Sequence, residues 1–249
     1  MESIYLVFSA LIMEFIDSSL GMMYGTILSP MLLALNYPLS DVIPSILLSQ
    51  GIGGVVASLR HQKLKNADFR SGKTDRKIAA LFIWFGIFAC LFGVHFSVSL
   101  PKKFLNAYIG LLIISIGLFI LSGKTVMLTN RRIYLLGFVS AFNKALSGGG
   151  FGPLVAGGQL IFRNRSEKGA IAATDFAEVP ICFLSFFLWV ILKGAPSVGL
   201  CFPLCIGAAI GGYFGPGFLS KVKDMKKFKM LLATVAITEG VSLLYKVLF

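Results

Sequence analysis

The sequence predicts an all-α polytopic membrane protein made of two inverted repeats, each a broken-helix hairpin followed by three transmembrane helices. Three observations carry this reading. Hydrophobic residues make up 56% of the 249, with 23 phenylalanines among them, and the mean hydropathy is +0.84; soluble domains sit near roughly 45–50% apolar residues. The apolar residues fall into blocks separated by short basic runs. Two of the blocks are too long for one crossing, and each is interrupted by glycines near its middle.

The apolar blocks cover about 3–35, 42–60, 79–97, 105–122, 133–163, 170–191, 198–219 and 229–248, against about 20 residues for one spanning helix. The first breaks in "SSLGMMYGTILSP", at Gly21 and Gly25, and the fifth in "LSGGGFGPLVAGG", at Gly148 to Gly152. Each of the other six fits a single crossing. A shift of 127 residues lays Phe15 on Phe142, Gly21 on Gly148, Tyr24 on Phe151 and Gly25 on Gly152. The chain therefore divides into a first membrane repeat, 1–127, and a second, 128–249. The N-terminal "MESIYLVFSALIMEFIDSS" has no basic n-region and carries Glu2, Glu14 and Asp17, so it is expected to belong to the mature fold and not to a cleaved signal.

The formal net charge of +12 is spread over short runs between apolar blocks, which suits membrane topology better than a nucleic-acid face. Lysines and arginines number seven in 60–77, two in 98–104, three in 123–132, three in 163–168, one in 193–197 and five in 221–229. If every block crosses once, the two sides carry 11 and 10, with no bias. If each broken block enters and leaves on one side as a hairpin of two short helices, the sides carry 18 and 3. The positive-inside rule selects the second arrangement and makes the basic loops cytoplasmic. Each half then crosses three times, so the second half is inverted relative to the first. Inverted repeats around discontinuous helices are an architecture of secondary transporters, with the ligand near the midplane where the breaks meet.

The second break lies in "FNKALSGGGFGPLVAGGQ", which puts Lys144 one turn before the glycines. Glycine takes the left-handed conformation that ends a helix, and Pro153 suits the first turn of the next. A helix start exposes N–H groups and a partial positive charge, a ready anion site. Lys144, Gly148, Gly149, Gly150 and Gly152 are thus candidate anion ligands, with Gly21 and Gly25 at the first break; Gln50, Asn143, Ser147 and Gln159 are candidate neutral donors. For the glycines, close helix packing is the alternative, since Gly21/Gly25 and Gly148/Gly152 are GxxxG spacings. For Lys144 the alternative is a snorkelling or salt-bridged lysine, with Asp17, its equivalent in the first half, as partner.

Glu14, Asp17, Asp175, Glu178 and Glu239 are the acids inside apolar blocks, each costing roughly 2.5–3.5 kcal/mol at mid-bilayer. Asp175 and Glu178, three apart, share a helix face. A carboxylate beside an anion path repels the anion unless protonated or paired, so Asp17, Asp175 and Glu178 are candidate proton-coupling groups; pairing with a lysine or capping a break is the other reading. Glu239 is expected to be structural. His61, in the run "RHQKLKNADFRSGKTDRK", is expected to face solvent or headgroups, and His95 to be hydrogen-bonded at a helix end. Cys90, Cys182, Cys201 and Cys205 lie in apolar blocks without a redox or zinc spacing. No metal or cofactor is called for, and no nucleophile–base pair or GK[ST] phosphate loop points to an enzyme.

At "GMMYGTILSP", "FNKALSGGGFGPLVAGGQ" and "GVVASLRHQKLKNADF" the sequence resembles the TauE/SafE family, the sulfite and organosulfonate exporter group, and the likeness covers nearly the whole chain. The resemblance implies secondary transport of a small anion, often sulfite, a sulfonate or sulfoacetate, in a bacterial or archaeal inner membrane. By position, the family's second glycine-rich break falls on Gly148, Gly149, Gly150 and Gly152, and its first on Gly21 and Gly25. The first break departs from a run of glycines, holding Met22, Met23 and Tyr24, so equal binding at both breaks is not implied. A passive anion channel, or a membrane-embedded enzyme or assembly factor for a small sulfur compound, are the competing expectations.

Overall fold

The computed structural model describes residues 2–70, 72–97, 102–123, 129–147, 149–161 and 166–248. These form helices α1 (Glu2–Leu20), α2 (Tyr24–Ala34), α3 (Leu39–Lys63), α4 (Thr74–Ser97), α5 (Lys102–Leu121), α6 (Asn130–Ser147), α7 (Phe151–Leu160), α8 (Glu167–Lys193), α9 (Val198–Lys221) and α10 (Met225–Leu248). Among the described residues α1, α3, α4, α8 and α9 have the length and composition of a membrane crossing.

Both predicted breaks are present. Gly21 and Met23, with φ of 78° and 112°, separate α1 from α2, and Gly150, with φ of 80°, precedes α7. The arms are unequal, which corrects the expected pairing of two short helices. α1 and α6 have 19 and 18 residues, α2 and α7 only 11 and 10. At 1.5 Å per residue the second arms reach about 15 Å, half of a bilayer's hydrocarbon.

Local chemistry sets the remaining ends. Ser166 caps α8 by accepting from the Gly169 N–H at 3.2 Å, and Gly194, with φ of 91°, closes it. α3 opens after Pro38 with Asp41 in its first turn and closes with Arg60, His61 and Lys63 in its last, the acid and the two cations Arg60 and Lys63 matching the helix dipole. That last turn takes His61 out of the basic loop where the sequence had put it. In the loop that follows, Asp68 accepts both from the Arg70 backbone N–H and from Arg70 Nε, at 3.1 Å each. These bonds hold its carboxyl below the usual carboxylate range.

Packing relies on small residues. Gly207, Gly211 and Gly215 form a stripe on α9; a Cβ at any of them would run into the α1 carbonyl of Val7, Leu11 or Phe15. Gly110 of α5 and Gly240 of α10 pack reciprocally, each against the other's carbonyl. Gly93 of α4 lies against the Phe142 carbonyl and Ala145 of α6. Because lipid tails are as apolar as leucine, close backbone approach supplies the association that hydrophobicity cannot. The main pairs are α1 with α9, α6 with α4, α3 with α9, α8 with α4, α3 with α8, and α5 with α10. Exchanging α1–α5 for α6–α10 returns this same set.

The polarity is inside-out. Ile4, Phe8, Trp84, Phe88, Leu111, Ile191 and Phe202 face outward, whereas Glu14, Asp17, Gln50, His61, Asn143, Lys144, Asp175 and Glu178 are buried. Apolar exteriors belong in lipid, and polar groups gathered inside need one another.

Candidate functional site

The two breaks meet. A Cβ at Gly152 would overlap the Gly21 carbonyl and Met22, and one at Gly149 would reach Thr26 and Gly25 within about 3 Å. Only glycine lets these backbones cross at such range, so the packing reading of the glycines holds. It coexists with a candidate site, because a polar crevice, closed too tightly here to admit a water-sized sphere, lies at the crossing. Gly25, Gly149, Gly150 and Gly152 line it together with Asp17, Gln50, Lys144 and Glu178. All eight were singled out in the sequence.

A chain of polar contacts crosses this pocket through five helices. Asp17, in the last turn of α1, accepts the Tyr24 N–H at the start of α2 through Oδ1 (3.0 Å) and Gln50 Nε2 of α3 through Oδ2 (3.1 Å). Lys144 Nζ of α6 donates to Gln50 Oε1 and lies 2.8 Å from Glu178 Oε1 of α8. The flanking charges fix the Gln50 amide, since reversing it would set oxygen against carboxylate and NH₂ against ammonium. Behind Asp17, the Tyr24 hydroxyl donates to Ser49 Oγ at 2.7 Å.

The breaks therefore differ chemically. The N-terminus of α2 is already capped by Asp17, a built-in carboxylate, whereas the position equivalent to Asp17 in the second half is Lys144. Lys144 has 1% exposure, beside the start of α7. Its ion pair is with Glu178 and not with the expected Asp17, to which Gln50 links it. The same two helices share a second contact: Trp189 of α8 donates to the Ala145 carbonyl of α6 at 3.4 Å.

Asp175 goes elsewhere. It lies one turn before Glu178 on α8, and its Oδ2 is 3.0 Å from His61 Nε2. His61 is 0% exposed, which overturns its expected place in solvent or headgroups. The same Nε2 faces the Ser18 carbonyl at 3.2 Å, and Nδ1 faces Asn66 Nδ2 at 3.0 Å. The remaining predicted site residues scatter. Gln159 donates to the Ala170 carbonyl and to Thr174 Oγ1, both at 3.0 Å, tying α7 to α8. Asn143 is buried on α6 beside Lys144, and neither it, Gln159 nor Gly21 lines the pocket. Gly148 lies outside the described residues, as do the side chains of Ser147, His95 and Glu239.

Sequence reasoning missed Met23, Thr26 and Phe151 as pocket residues, and the group of Ser18, His61 and Asn66. For the first three, adjacency to the glycines was an available signal. For His61 there was none: it opens a run of basic residues, and its acid is 114 positions away. Among the described residues no group of three or more His, Cys, Asp or Glu is placed to hold a metal.

A polytopic helical membrane protein with two broken helices meeting at a buried, charged centre has the outline of a transporter. Comparison with known proteins gives the family: residues 6–243 match the sequence profile described as "Sulfite exporter TauE/SafE", and the chain belongs to that family. It is also 25% identical over 185 residues to the "Probable membrane transporter protein YtnM" of Bacillus subtilis (strain 168), covering 70% of this chain and 59% of that one. The chain thus spans less than two thirds of the length of this curated relative. No solved structure matches.

Proposed function

We propose that the chain is a secondary transporter of a small anion, of the oxidised-sulfur class its family's name indicates, and that the anion is taken up between Lys144 and the start of α7. The single observation that supports this most is the placement of a fully buried ammonium at the glycine crossing, beside Gly149, Gly150 and Gly152. An oxyanion there meets a cation and the positive end of a helix at once.

The surroundings demand a proton. Glu14, Asp17, Asp175 and Glu178 are all buried; Asp17 and Glu178 line the pocket with Lys144, and Lys144 is engaged by Glu178. An incoming anion competes with Glu178 for the ammonium. A carboxylate displaced from its counter-ion inside the protein is costly, so Glu178 leaves Lys144 as the neutral acid. One anion then enters with one proton, and the charge of the pocket is unchanged. Asp17 stays on Tyr24 and Gln50 and holds the first break closed to anions. In the return step the anion departs, Glu178 loses its proton and the ion pair re-forms. The helix pairs that interchange under exchange of the two halves support alternating access by rocking of inverted repeats. The ion pair drawn across the narrow pocket argues against an open passive pore.

Uptake of radiolabelled sulfite into proteoliposomes tests this reading. Flux should saturate and follow an imposed proton gradient, and Glu178→Gln should keep sulfite counterflow while losing accumulation driven by the gradient. Sulfite, sulfonate and sulfoacetate fluxes all absent, or a saturating flux indifferent to the gradient in the wild type, would refute it.

A further inference from the structure

His61 sits where four helices and a loop converge, and hydrogen-bond chemistry fixes its state. The Ser18 oxygen of α1 and the Pro216 oxygen of α9 are carbonyls, which only accept. Asn66 Nδ2, 3.0 Å from the Pro216 carbonyl, is therefore a donor, so the His61 Nδ1 that faces it is an acceptor. Nε2 consequently carries the hydrogen and shares it between the Ser18 carbonyl and Asp175 Oδ2. The ring is a neutral imidazole with each nitrogen committed. A second contact holds the same corner: the Asn66 backbone N–H donates to the His61 carbonyl at 3.0 Å. Asp175 Oδ1 is buried without a hydrogen-bond partner, so the acid next to the ring is under-supplied with donors.

We infer that His61 and Asp175 form a proton-binding site of their own, separate from the anion pocket, whose loading frees the 64–70 loop from α9. On the ring a proton can bond only to Nδ1, whose lone pair then no longer accepts; a proton on the unpartnered Asp175 Oδ1 leaves Asn66 in place, so loading of the ring is the step that acts on the loop. The new N–H points at the Asn66 NH₂, donor against donor, while Asn66 cannot turn its oxygen toward the ring without losing Pro216. The Nε2 contact becomes an imidazolium–carboxylate pair and holds. Proton binding thus tightens His61 to α8 and expels Asn66, loosening the basic-loop end of the protein.

The charged and titratable groups around the ring are few. On α3 itself are Lys63 and Arg60, the latter 4.5 Å from the centre of the Tyr213 ring of α9. On α8, Glu178 acts on Asp175 electrostatically, and on α1 Glu14 and Asp17 are within the same reach. Lys168 of α8 is occupied with the Ser220 carbonyl at 2.8 Å. The acids around Asp175 favour a cation at His61, and its complete burial and Arg60 oppose one.

This inference goes beyond the anion reading and stands whether or not Lys144 holds the substrate, because its test uses none. The full chain in lipid nanodiscs is followed by hydrogen exchange in peptides covering 64–70, corrected for the intrinsic pH dependence of exchange, from pH 8 to pH 5. Exchange should rise about tenfold in the wild type as the pH falls, the loop passing to a locally open state. His61→Gln should abolish the pH dependence. Asn66→Asp, which replaces the NH₂ shared by Nδ1 and the Pro216 carbonyl with a carboxylate, should leave the loop open at pH 8 and reverse the response, exchange falling as an imidazolium–carboxylate pair forms. If His61→Gln fails to insert, Asn66→Asp decides alone. A wild-type loop indifferent to pH, a pH response retained in His61→Gln, or a response of unchanged sign in Asn66→Asp would each overturn the proposal.

Discussion

Gly152, in the first turn of α7, lies directly on the carbonyl of Gly21, the first residue of the first break. The two interrupted helices are thereby in backbone contact, with no side chain between them. This contact brings a helix start, a lysine and two acids to one place.

Because a methyl group at Gly152 would overlap that carbonyl and Met22, Gly152→Ala should destabilise the protein by about 1–3 kcal/mol or more, the range for overpacking. Gly217 of α9, where a methyl group would meet only open space, is the control. Gly217→Ala should be neutral or stabilising by up to about 1 kcal/mol, the helix-propensity gain. Thermal unfolding in one detergent, monitored for both variants, measures the difference; equal effects would mean that the crossing is looser than the backbones indicate.

Much of this site was legible in the sequence, for identifiable reasons. Glycine in an apolar block marks either a break or a close approach: Gly150 takes the left-handed φ at the break, and Gly149 and Gly152 lie against the backbone of the first break. Charge in lipid is expensive, so Asp17, Lys144 and Glu178 had to converge on something. Pairing was not legible: the 127-residue shift suggests Asp17 for Lys144, whereas the chain supplies Glu178, with Gln50 between the two. Helix extent was legible only where an end carries a signal. The basic run that begins at Arg60 reads as a loop, yet α3 continues to Lys63 and buries His61.

The inverted arrangement expected from the distribution of basic residues makes a topological prediction. Single cysteines introduced at Asn36 and at Ser166, with the four native cysteines replaced, should be labelled by a membrane-impermeant maleimide from opposite sides, Ser166→Cys from the cytoplasm. Labelling of both from one side would make the halves parallel and remove the basis for rocking about a midplane.

Gln50 is bonded to both Asp17 and Lys144. Asp17→Asn keeps an acceptor for the Tyr24 N–H but turns the atom facing Gln50 into a donor, so the Gln50 amide must rotate and present NH₂ to the ammonium. The fold should survive at a cost of about 1–3 kcal/mol, the penalty of a mismatched buried hydrogen bond. Sulfite counterflow should weaken roughly tenfold in apparent affinity, the equivalent of about 1.4 kcal/mol. Unchanged affinity in a folded Asp17→Asn variant would show that the first break takes no part in holding Lys144.

The remaining prediction separates Lys144 as an anion ligand from Lys144 as a mere counter-ion of Glu178. Lys144→Met strands the Glu178 carboxylate and the Gln50 oxygen in a buried site, and breaking a buried ion pair from one side costs about 3–5 kcal/mol. The single variant should therefore lose stability along with transport, and by itself decides nothing. Adding Glu178→Met removes the stranded charge, and an apolar replacement of a whole buried pair is often neutral or stabilising. The double variant should regain wild-type thermal stability. If Lys144 only neutralises Glu178, sulfite flux returns with stability, at an affinity close to that of the wild type. If Lys144 holds the anion, the double variant folds, inserts and carries no sulfite, and sulfite raises the unfolding temperature of the wild type but not of the double variant. Recovered flux in that stable double variant would leave the start of α7 as the remaining candidate for the anion and would take the lysine out of the site.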